Sequence, residues 1–357
     1  MAIRVLIVED SPVMQRLLAD MIGRGEGLEV AGIAGNPYEA RELVKSLKPD
    51  VMTLDVEMPR MDGLTFLDRL MRLHPMPVVM VSSLTERDAE ASLRALELGA
   101  VDVIAKPRAG VDGHGLVEFG ATIAESIRAA ARVDVGSRES AGARAARAGR
   151  VLDGPADEAA LEGRIIAIGA STGGTEAIRD ILARLPARCP PVVIAQHMPE
   201  MFTRMFAKRL DEQCGLAVSE ATDRERLKAG HAYIAPGNWH LLVRRAGKSF
   251  EARVVQTEPV NRHRPSVDVL FDSVAQAAES GAIAAILTGM GNDGAAGMRT
   301  IRNAGGRTIA QDEASCVVFG MPKTAIEAGG VERVLPLGGI AERLVACLRE
   351  RPTRPSA

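Results

Sequence analysis

Short apolar runs rich in Val, Ile and Leu recur through the first third of this chain, each separated from the next by a stretch with helical spacing. The runs are Ile3–Val8, Val30–Ala34, Val51–Leu54, Pro77–Val81 and Val101–Ala105. Ser11-Pro12 and Asn36-Pro37 are helix-start signals, with Pro at the first helical position. Strand runs alternating with helical segments predict an α/β unit, a doubly wound parallel sheet with helices on both faces. In such a sheet the strand C-termini share one edge, and sites form there. The runs end on Glu9-Asp10, Asp55, Ser82-Ser83 and Lys106. One polar residue after a strand is ordinary surface. This many on successive strands of one edge is the pattern of a site. Carboxylates from Glu9, Asp10 and Asp55 converging there make a hard oxygen site suited to Mg²⁺. Lys106 and the Ser82 hydroxyl beside them suit a phosphoryl group.

Residues 3 to about 125 resemble a response-regulator receiver domain, so the first domain is placed at 1–125. The resemblance is carried by Val8-Glu9-Asp10-Ser11, Leu54-Asp55-Val56-Glu57-Met58-Pro59, Asp62-Gly63, Val81-Ser82-Ser83 and Lys106-Pro107. It implies that Asp55 accepts a phosphoryl group from a histidine kinase. Glu9, Asp10, Asp55 and the backbone carbonyl of Glu57 would hold Mg²⁺, and Ser82 and Lys106 would contact the phosphoryl oxygens. Val103 stands where many receivers carry an aromatic switch residue, so an aromatic-rotamer readout is not implied.

After about residue 125 large apolar residues thin out, and between Gly136 and Gly154 they almost vanish. A segment this poor in apolar surface reads as a solvated tether over 126–162. Its arginines are not interleaved with aromatic residues, and the net charge of the chain is −2, so neither favours a nucleic-acid partner. Residues 351–357 read as a frayed tail. The four cysteines (Cys189, Cys214, Cys316, Cys347) form no Cys-x-x-Cys pair, which suits a reducing compartment and argues against zinc or a disulfide framework. There is no signal-peptide pattern and no apolar run approaching the roughly 20 residues of a spanning helix, so a soluble cytoplasmic protein without direct membrane insertion is expected.

The second domain, 163–350, is organised around Ile165–Gly174. Ile165-Ile166-Ala167-Ile168 reads as a buried strand, and Thr175-Glu176-Ala177-Ile178 as a helix start. Between them lies Gly-x-Ser-x-Gly, which lifts the Ser171 hydroxyl onto a sharp turn that backbone and substrate can approach closely. A phosphate-binding P-loop would need a lysine, and a dinucleotide fingerprint would need Gly where Ser171 stands. The stretch alone also reads as a plain Gly-rich turn or a phosphate cradle. Pro191–Ala195 is a further strand, ending on Gln196-His197. Ala282–Leu287 is another, ending in the Gly-rich run Thr288–Gly297 that contains Asp293. Taken singly, His197 reads as structural, and Asp293 equally well as a helix cap or as a site residue. Together the three strand ends offer the residue types of a nucleophile triad: Ser171 attacking, His197 taking its proton, Asp293 fixing the imidazole. His263 competes as a base, although no strand presents it. Ser266 reads as the cap of a helix over Val267–Ala278. Pro236-Gly237-Asn238, between His231–Ala235 and Trp239–Val243, reads as a hairpin turn, so an antiparallel hairpin is expected beside a mostly parallel sheet. The chain order Ser, His, Asp differs from that of α/β-hydrolases, so that fold is not implied.

This domain resembles the catalytic domain of the chemotaxis protein-glutamate methylesterases. The matching stretches are Gly169–Gly174, Gln196-His197-Met198-Pro199, Tyr233-Ile234-Ala235-Pro236-Gly237, Arg264-Pro265-Ser266-Val267-Asp268 and Leu287–Gly294. The resemblance implies hydrolysis of glutamate γ-methyl esters on chemoreceptors, with methanol released, and deamidation of receptor glutamines. Backbone groups near Thr172 and Met290 would hold the oxyanion, Arg264 would position an acidic receptor segment, and the reaction would need no cofactor. The implied partners are a chemotaxis histidine kinase and methylated chemoreceptors. The unphosphorylated receiver would cover the active site, and phosphorylation of Asp55 would open it. A non-enzymatic regulator and a DNA-binding output are the rival readings. The Ser, His and Asp set argues against the first, and the lack of a basic recognition helix against the second.

Overall fold

The structure, a computed structural model, describes residues 2–83, 85–107, 110, 112–133, 135, 150–154 and 161–350. Much of the expected tether and the whole expected tail, 351–357, lie outside the described residues. The chain divides into two compact units, residues 1–146 and 147–357.

In the first unit five strands alternate with five helices among the described residues. The strands are β1 (Ile3–Val8), β2 (Leu28–Ala34), β3 (Val51–Asp55), β4 (Val78–Ser82) and β5 (Asp102–Ala105). The helices are α1 (Pro12–Arg24), α2 (Pro37–Leu47), α3 (Gly63–Leu73), α4 (Glu86–Glu97) and α5 (Gly113–Ala130). The sheet order is β2-β1-β3-β4-β5, and every pairing is parallel. β3 and β4 are buried along their whole length, as a central strand covered on both faces must be. Asn36 caps α2 by accepting from the N–H groups of Tyr38 and Glu39. Ser11 stands at the N-cap of α1 but makes no such side-chain bond; its own N–H donates to Glu9 Oε1 instead. The start of α1 therefore rests on Pro12 rather than on the expected cap. α5 continues to Ala130, past residue 125.

The second unit is built on seven parallel strands in the order β15-β14-β13-β6-β7-β10-β8. These are β6 (Ile165–Ala170), β7 (Val192–Gln196), β8 (Ala217–Glu220), β10 (His231–Ile234), β13 (Ala282–Ile286), β14 (Arg307–Gln311) and β15 (Arg333–Leu335). The helices are α6 (Gly174–Leu182), α7 (Phe202–Gln213), α8 (Val267–Ala278), α9 (Ala295–Asn303), α10 (Met321–Glu327) and α11 (Leu337–Arg349). Chain order runs from β6 outward through β7, and later from β13 outward the other way through β14 to β15. The order therefore reverses between β6 and β13, and a crevice opens outside the strand C-termini at such a point.

The expected hairpin lies elsewhere. Pro236-Gly237-Asn238 does not join two paired strands, because β10 pairs in parallel with β7 and β8. The antiparallel pair is β11 (His240–Ala246) with β12 (Ser249–Val255), joined through Gly247-Lys248. A short strand, β9 (Arg226–Leu227), completes this separate sheet. β10 is buried on the parallel sheet, and that burial outweighs the local turn signal.

One continuous core joins this small sheet (Leu241, Val243, Phe250, Ala252), α8 (Val267, Leu270, Phe271, Val274) and the main sheet (Ile165, Ala167, Ala284, Ile286). α8 is the link between the layers, so its N-terminus is fixed by packing along the whole helix. Phe271, at the centre of α8, is completely buried. Phe271→Ala should destabilise the second unit by about 3–5 kcal/mol, read as a lowered midpoint in urea unfolding.

Candidate active site

In the first unit the polar strand ends meet as the sequence suggested. One ligand oxygen each from Glu9, Asp10 and Asp55 lies within 4.8 Å of the others. Lys106 Nζ, from the loop after β5, is 2.7 Å from Asp55 Oδ2 and 2.9 Å from Glu9 Oε2. Glu9 and Asp55 are buried. Burial and the neighbouring Asp55 push Glu9 up to about 7. Burial also raises Asp55, against the pull of Lys106. Burial alone would lower Lys106, but its two carboxylate partners hold it above its ordinary value. The pocket thus holds more negative charge than one lysine neutralises, and an all-oxygen donor set of this kind fits a divalent cation. The Glu57 N–H donates to Asp55 Oδ1, folding that segment over the carboxylate. Ser82 is fully buried, and its hydroxyl donates to Ser83 O.

In the second unit Ser171, His197 and the 288–293 segment follow β6, β7 and β13, the three adjacent strands at the reversal of strand order. Ala170 pairs with Gln196, so Ser171 and His197 are the next residues on neighbouring strands. The His197 N–H donates to Ala170 O at 3.1 Å. Gln196, buried beneath them, donates its Nε2 to the carbonyls of both Ser171 (2.9 Å) and His197 (3.3 Å). Ser171 opens a tight turn closed by Gly174 N–H donating to Ser171 O at 2.7 Å. Gly173, at φ 77° and ψ 0°, holds the position of a type II turn that requires a residue at positive φ. The carbonyl of Thr288 accepts the Ser171 N–H at 3.0 Å. A Cβ at Gly289 would lie 2.7 Å from Ser171 Cβ, so the backbone after β13 presses directly against the serine. The next residue, Met290, has an N–H with no acceptor among the described residues. The Thr172 side chain is buried, and its carbonyl accepts from Thr288 Oγ1 at 3.0 Å.

His197 Nε2 is 2.8 Å from Asp293 Oδ2. Its other ring nitrogen, Nδ1, is buried and has no partner among the described residues. Asp293 collects four further donors. Val267 N–H donates to Oδ2, while Ser266 Oγ, Asn261 Nδ2 and the Asp268 N–H donate to Oδ1, at distances of 2.6 to 3.2 Å. Two of these are N–H groups of the first turn of α8, where a helix favours a negative charge. Burial alone would raise Asp293. The His197 bond and charge, with Asn261 and Ser266, hold it well below the carboxylate range. Asp293 is therefore ionised at neutral pH, and it meets the imidazole through Nε2, with Nδ1 left unengaged among the described residues.

Several contacts here were not legible in the sequence. His263 does not act from a strand; its ring stacks on His197 with centroids 3.7 Å apart and planes at 12°. Burial and the adjacent His197 push it down to about 3, so it stays neutral and walls one face of the imidazole. Ser266 does cap α8 through Val269 N, yet its hydroxyl also donates to Asp293. Asn261 gave no functional signal, although Asn-Arg between Val260 and His263 is a turn-prone pair. Arg264 donates to Asn238 Oδ1 through Nε and Nη2 and to Thr257 O through Nη1, so it fixes the segment before α8 from inside the unit.

The family model for CheB methylesterase matches residues 166–344, and that for the response regulator receiver domain matches residues 5–116. Fold and sites together define a response regulator whose output unit is a hydrolase. The chain is 51% identical over 346 residues to a protein-glutamate methylesterase/protein-glutamine glutaminase of Nitrosomonas europaea, covering 97% of this chain and 96% of that one. It is 52% identical over 353 residues to the Bordetella parapertussis protein of the same name, covering 99% of each. The Thermotoga maritima CheB methylesterase catalytic domain superposes with a TM-score of 0.51 at 43% identity, covering 52% of this chain and 98% of that one. This chain belongs to the protein-glutamate methylesterase/protein-glutamine glutaminase family.

Two outcomes follow from the geometry. Gly289→Ala would force Ser171 aside and should lower kcat on an activated ester by about 100-fold, since a shift of about 1 Å at a reacting group has that effect. Millimolar Mg²⁺ should raise the melting temperature of the wild-type protein, and Asp10→Asn should lose most of that rise in the same thermal scan.

Proposed function

We propose that this protein removes methyl groups from glutamate γ-methyl esters of chemoreceptors, releases methanol, and deamidates receptor glutamines, under control of phosphorylation at Asp55. The observation that carries the chemistry is the pair formed by His197 Nε2 and an ionised Asp293, with His197 Nδ1 buried and unpaired and with Ser171 and His197 next to each other at the ends of the paired strands β6 and β7. Ser171 Oγ attacks the γ-carbonyl carbon while its proton passes to His197 Nδ1. The carbonyl π-electrons move to oxygen, and that oxyanion lies against the backbone N–H groups of Met290 and Thr172. Asp293 stabilises the imidazolium without taking its proton. The imidazolium then returns the proton to the leaving group, giving methanol from an ester or ammonia from an amide, and leaves a glutamyl ester on Ser171. Water, activated by His197, hydrolyses this ester and restores the serine. His263 keeps water from one face of the imidazole throughout. Arg264 holds the segment that carries Asn261 and His263, and through it orients the acidic receptor segment.

The receiver unit supplies the control. A chemotaxis histidine kinase is the phosphoryl donor, and Asp55 the acceptor. Glu9, Asp10, Asp55 and the Glu57 carbonyl would hold Mg²⁺, which neutralises charge on the phosphoryl group when bound. Lys106 would pair with the phosphoryl oxygens, and Ser82 would turn toward them. Phosphorylation lifts an inhibition of the catalytic unit, so adaptation of the receptors follows kinase activity. No described helix is long and apolar enough to cross a membrane. The proposed setting is the cytoplasm, acting on the cytoplasmic part of the receptors.

Methanol release from methylated receptor membranes tests both halves. Ser171→Ala should lose at least about a thousandfold in rate. Wild-type release should rise several-fold with a small-molecule phosphoryl donor and Mg²⁺, and Asp55→Asn should abolish that rise without abolishing basal release. Equal release by wild type and Ser171→Ala would remove Ser171 as nucleophile. Ammonia release from glutamine-bearing receptors, assayed in parallel, separates the two activities.

A further inference from the structure

A second carboxylate stands beside the one that serves His197. Asp268, in the first turn of α8, is buried, with Oδ1 accepting the Gly297 N–H at 2.7 Å. Its Oδ2 and Asp293 Oδ1 share one donor group, the Asn261 amide, whose Nδ2 is 2.7 Å from the first and 2.9 Å from the second. Burial raises Asp268, and the charge of Asp293 adds to that, so the two acids repel one another across the amide. The amide is delivered by a built device. Val260 and His263 exchange two backbone hydrogen bonds, of 3.1 and 2.9 Å, around the pair Asn261-Arg262. Both residues have left-handed backbone, φ 52° and 67°, the pattern of a type I′ turn, where Asn is favoured. The residue closing this turn is His263, stacked on the His197 ring.

We propose that Asn261 is a positioning residue that insulates Asp293 from Asp268, so that the Asp293 charge acts on His197 without a contribution from Asp268. The inference rests on the Ser171, His197, Asp293 reading above. Without the amide, Asp293 loses one donor and gains an unshielded neighbour of like charge. Both changes raise the negative potential at His197. The imidazolium then becomes too stable in the resting enzyme, and less of the neutral base exists to accept the Ser171 proton.

The charged and titratable groups around Asp293 bear on the sign. His197 faces it from the loop after β7, His263 and Arg262 come from the turn, and Asp268 comes from α8, with Asp272 one turn further along. His240, at the start of β11, accepts the Ser266 N–H through Nδ1, and Arg264 lies near it. Burial holds His263 and His240 below the ordinary histidine value, so both are neutral near pH 7. Asp268 is therefore the acid whose charge the amide separates from Asp293.

The test is the pH dependence of kcat/KM for full-length protein, phosphoryl donor present, on methylated receptor membranes. Asn261→Gly removes the amide while accepting positive φ. Its acid limb should move up by about one pH unit, with kcat near that limb falling about tenfold and KM unchanged. Asp268→Asn alone should leave the acid limb close to its wild-type position, because the amide already screens that charge from Asp293. The double variant Asn261→Gly/Asp268→Asn should return toward wild type, which a simple packing defect would not do. A superimposable wild-type and Asn261→Gly profile would overturn the proposal, as would a double variant no better than Asn261→Gly. If Asn261→Gly does not fold, an acid limb in Asp268→Asn displaced downward by about one pH unit overturns it alone, since the amide would then not be screening that charge. Ser171→Ala, run alongside, separates the two readings. If it is inactive while Asn261→Gly matches wild type, only the insulation fails. If it remains active, the triad fails and the insulation with it.

Discussion

The catalytic unit depends on keeping one carboxylate charged in a buried place. Asp293 is almost wholly removed from water, and desolvation alone would protonate it. Five donors prevent that: His197, two N–H groups of the first turn of α8, the Ser266 hydroxyl and the Asn261 amide. Charge-assisted hydrogen bonds to a helix N-terminus are among the stronger polar contacts available in a protein interior. They also leave a single direction for the acid to act, toward His197. The imidazole is thereby held with Nε2 against the acid, 2.8 Å from Asp293 Oδ2.

The rest of the unit places this arrangement at the right edge. The sheet reverses its strand order between β6 and β13, so three neighbouring strand ends open onto one crevice. Ser171, His197 and the 288–293 segment come from those three ends. α8 is packed between the small antiparallel sheet and the parallel one, so its N-terminus cannot shift without disturbing a continuous core. Packing thus fixes the surroundings of Asp293: the helix that stabilises the fold also supplies two of its donors. The first unit solves an opposite problem. There Glu9 and Asp55 are buried with one lysine between them, and the surplus negative charge leaves the pocket ready for a cation and a phosphoryl group.

Much of this is legible in the amino-acid sequence. The strand runs of the first unit, the βα alternation, and the polar residues at the strand ends follow from local chemistry, because a buried parallel strand must be apolar and must stop where the chain becomes polar. Ser171 and His197 were legible for the same reason. Asp293 was less so, since it lies several residues past its strand and its alternative as a helix cap was equally local. What escaped were contacts made across long separations in the chain. His263 stacks on His197, and Asn261 bridges two acids, because a turn near residue 261, between β12 and α8, is brought to the sheet edge. The Pro236-Gly237-Asn238 signal misled because β10 is claimed by the parallel sheet.

The sequence by itself determined two α/β units, an acidic phosphoryl-type edge in the first, and a serine, a histidine and an aspartate after separate strands in the second. Each of these is a local property: periodicity, a turn residue, or a polar side chain where an apolar run ends. Only the tertiary structure decided which imidazole nitrogen meets Asp293, how Asp293 stays charged, and that His263 and Asn261 lie against His197 and Asp293. Those facts depend on burial and on hydrogen bonds between residues far apart in the chain, and neither burial nor a distant partner is written at any single position.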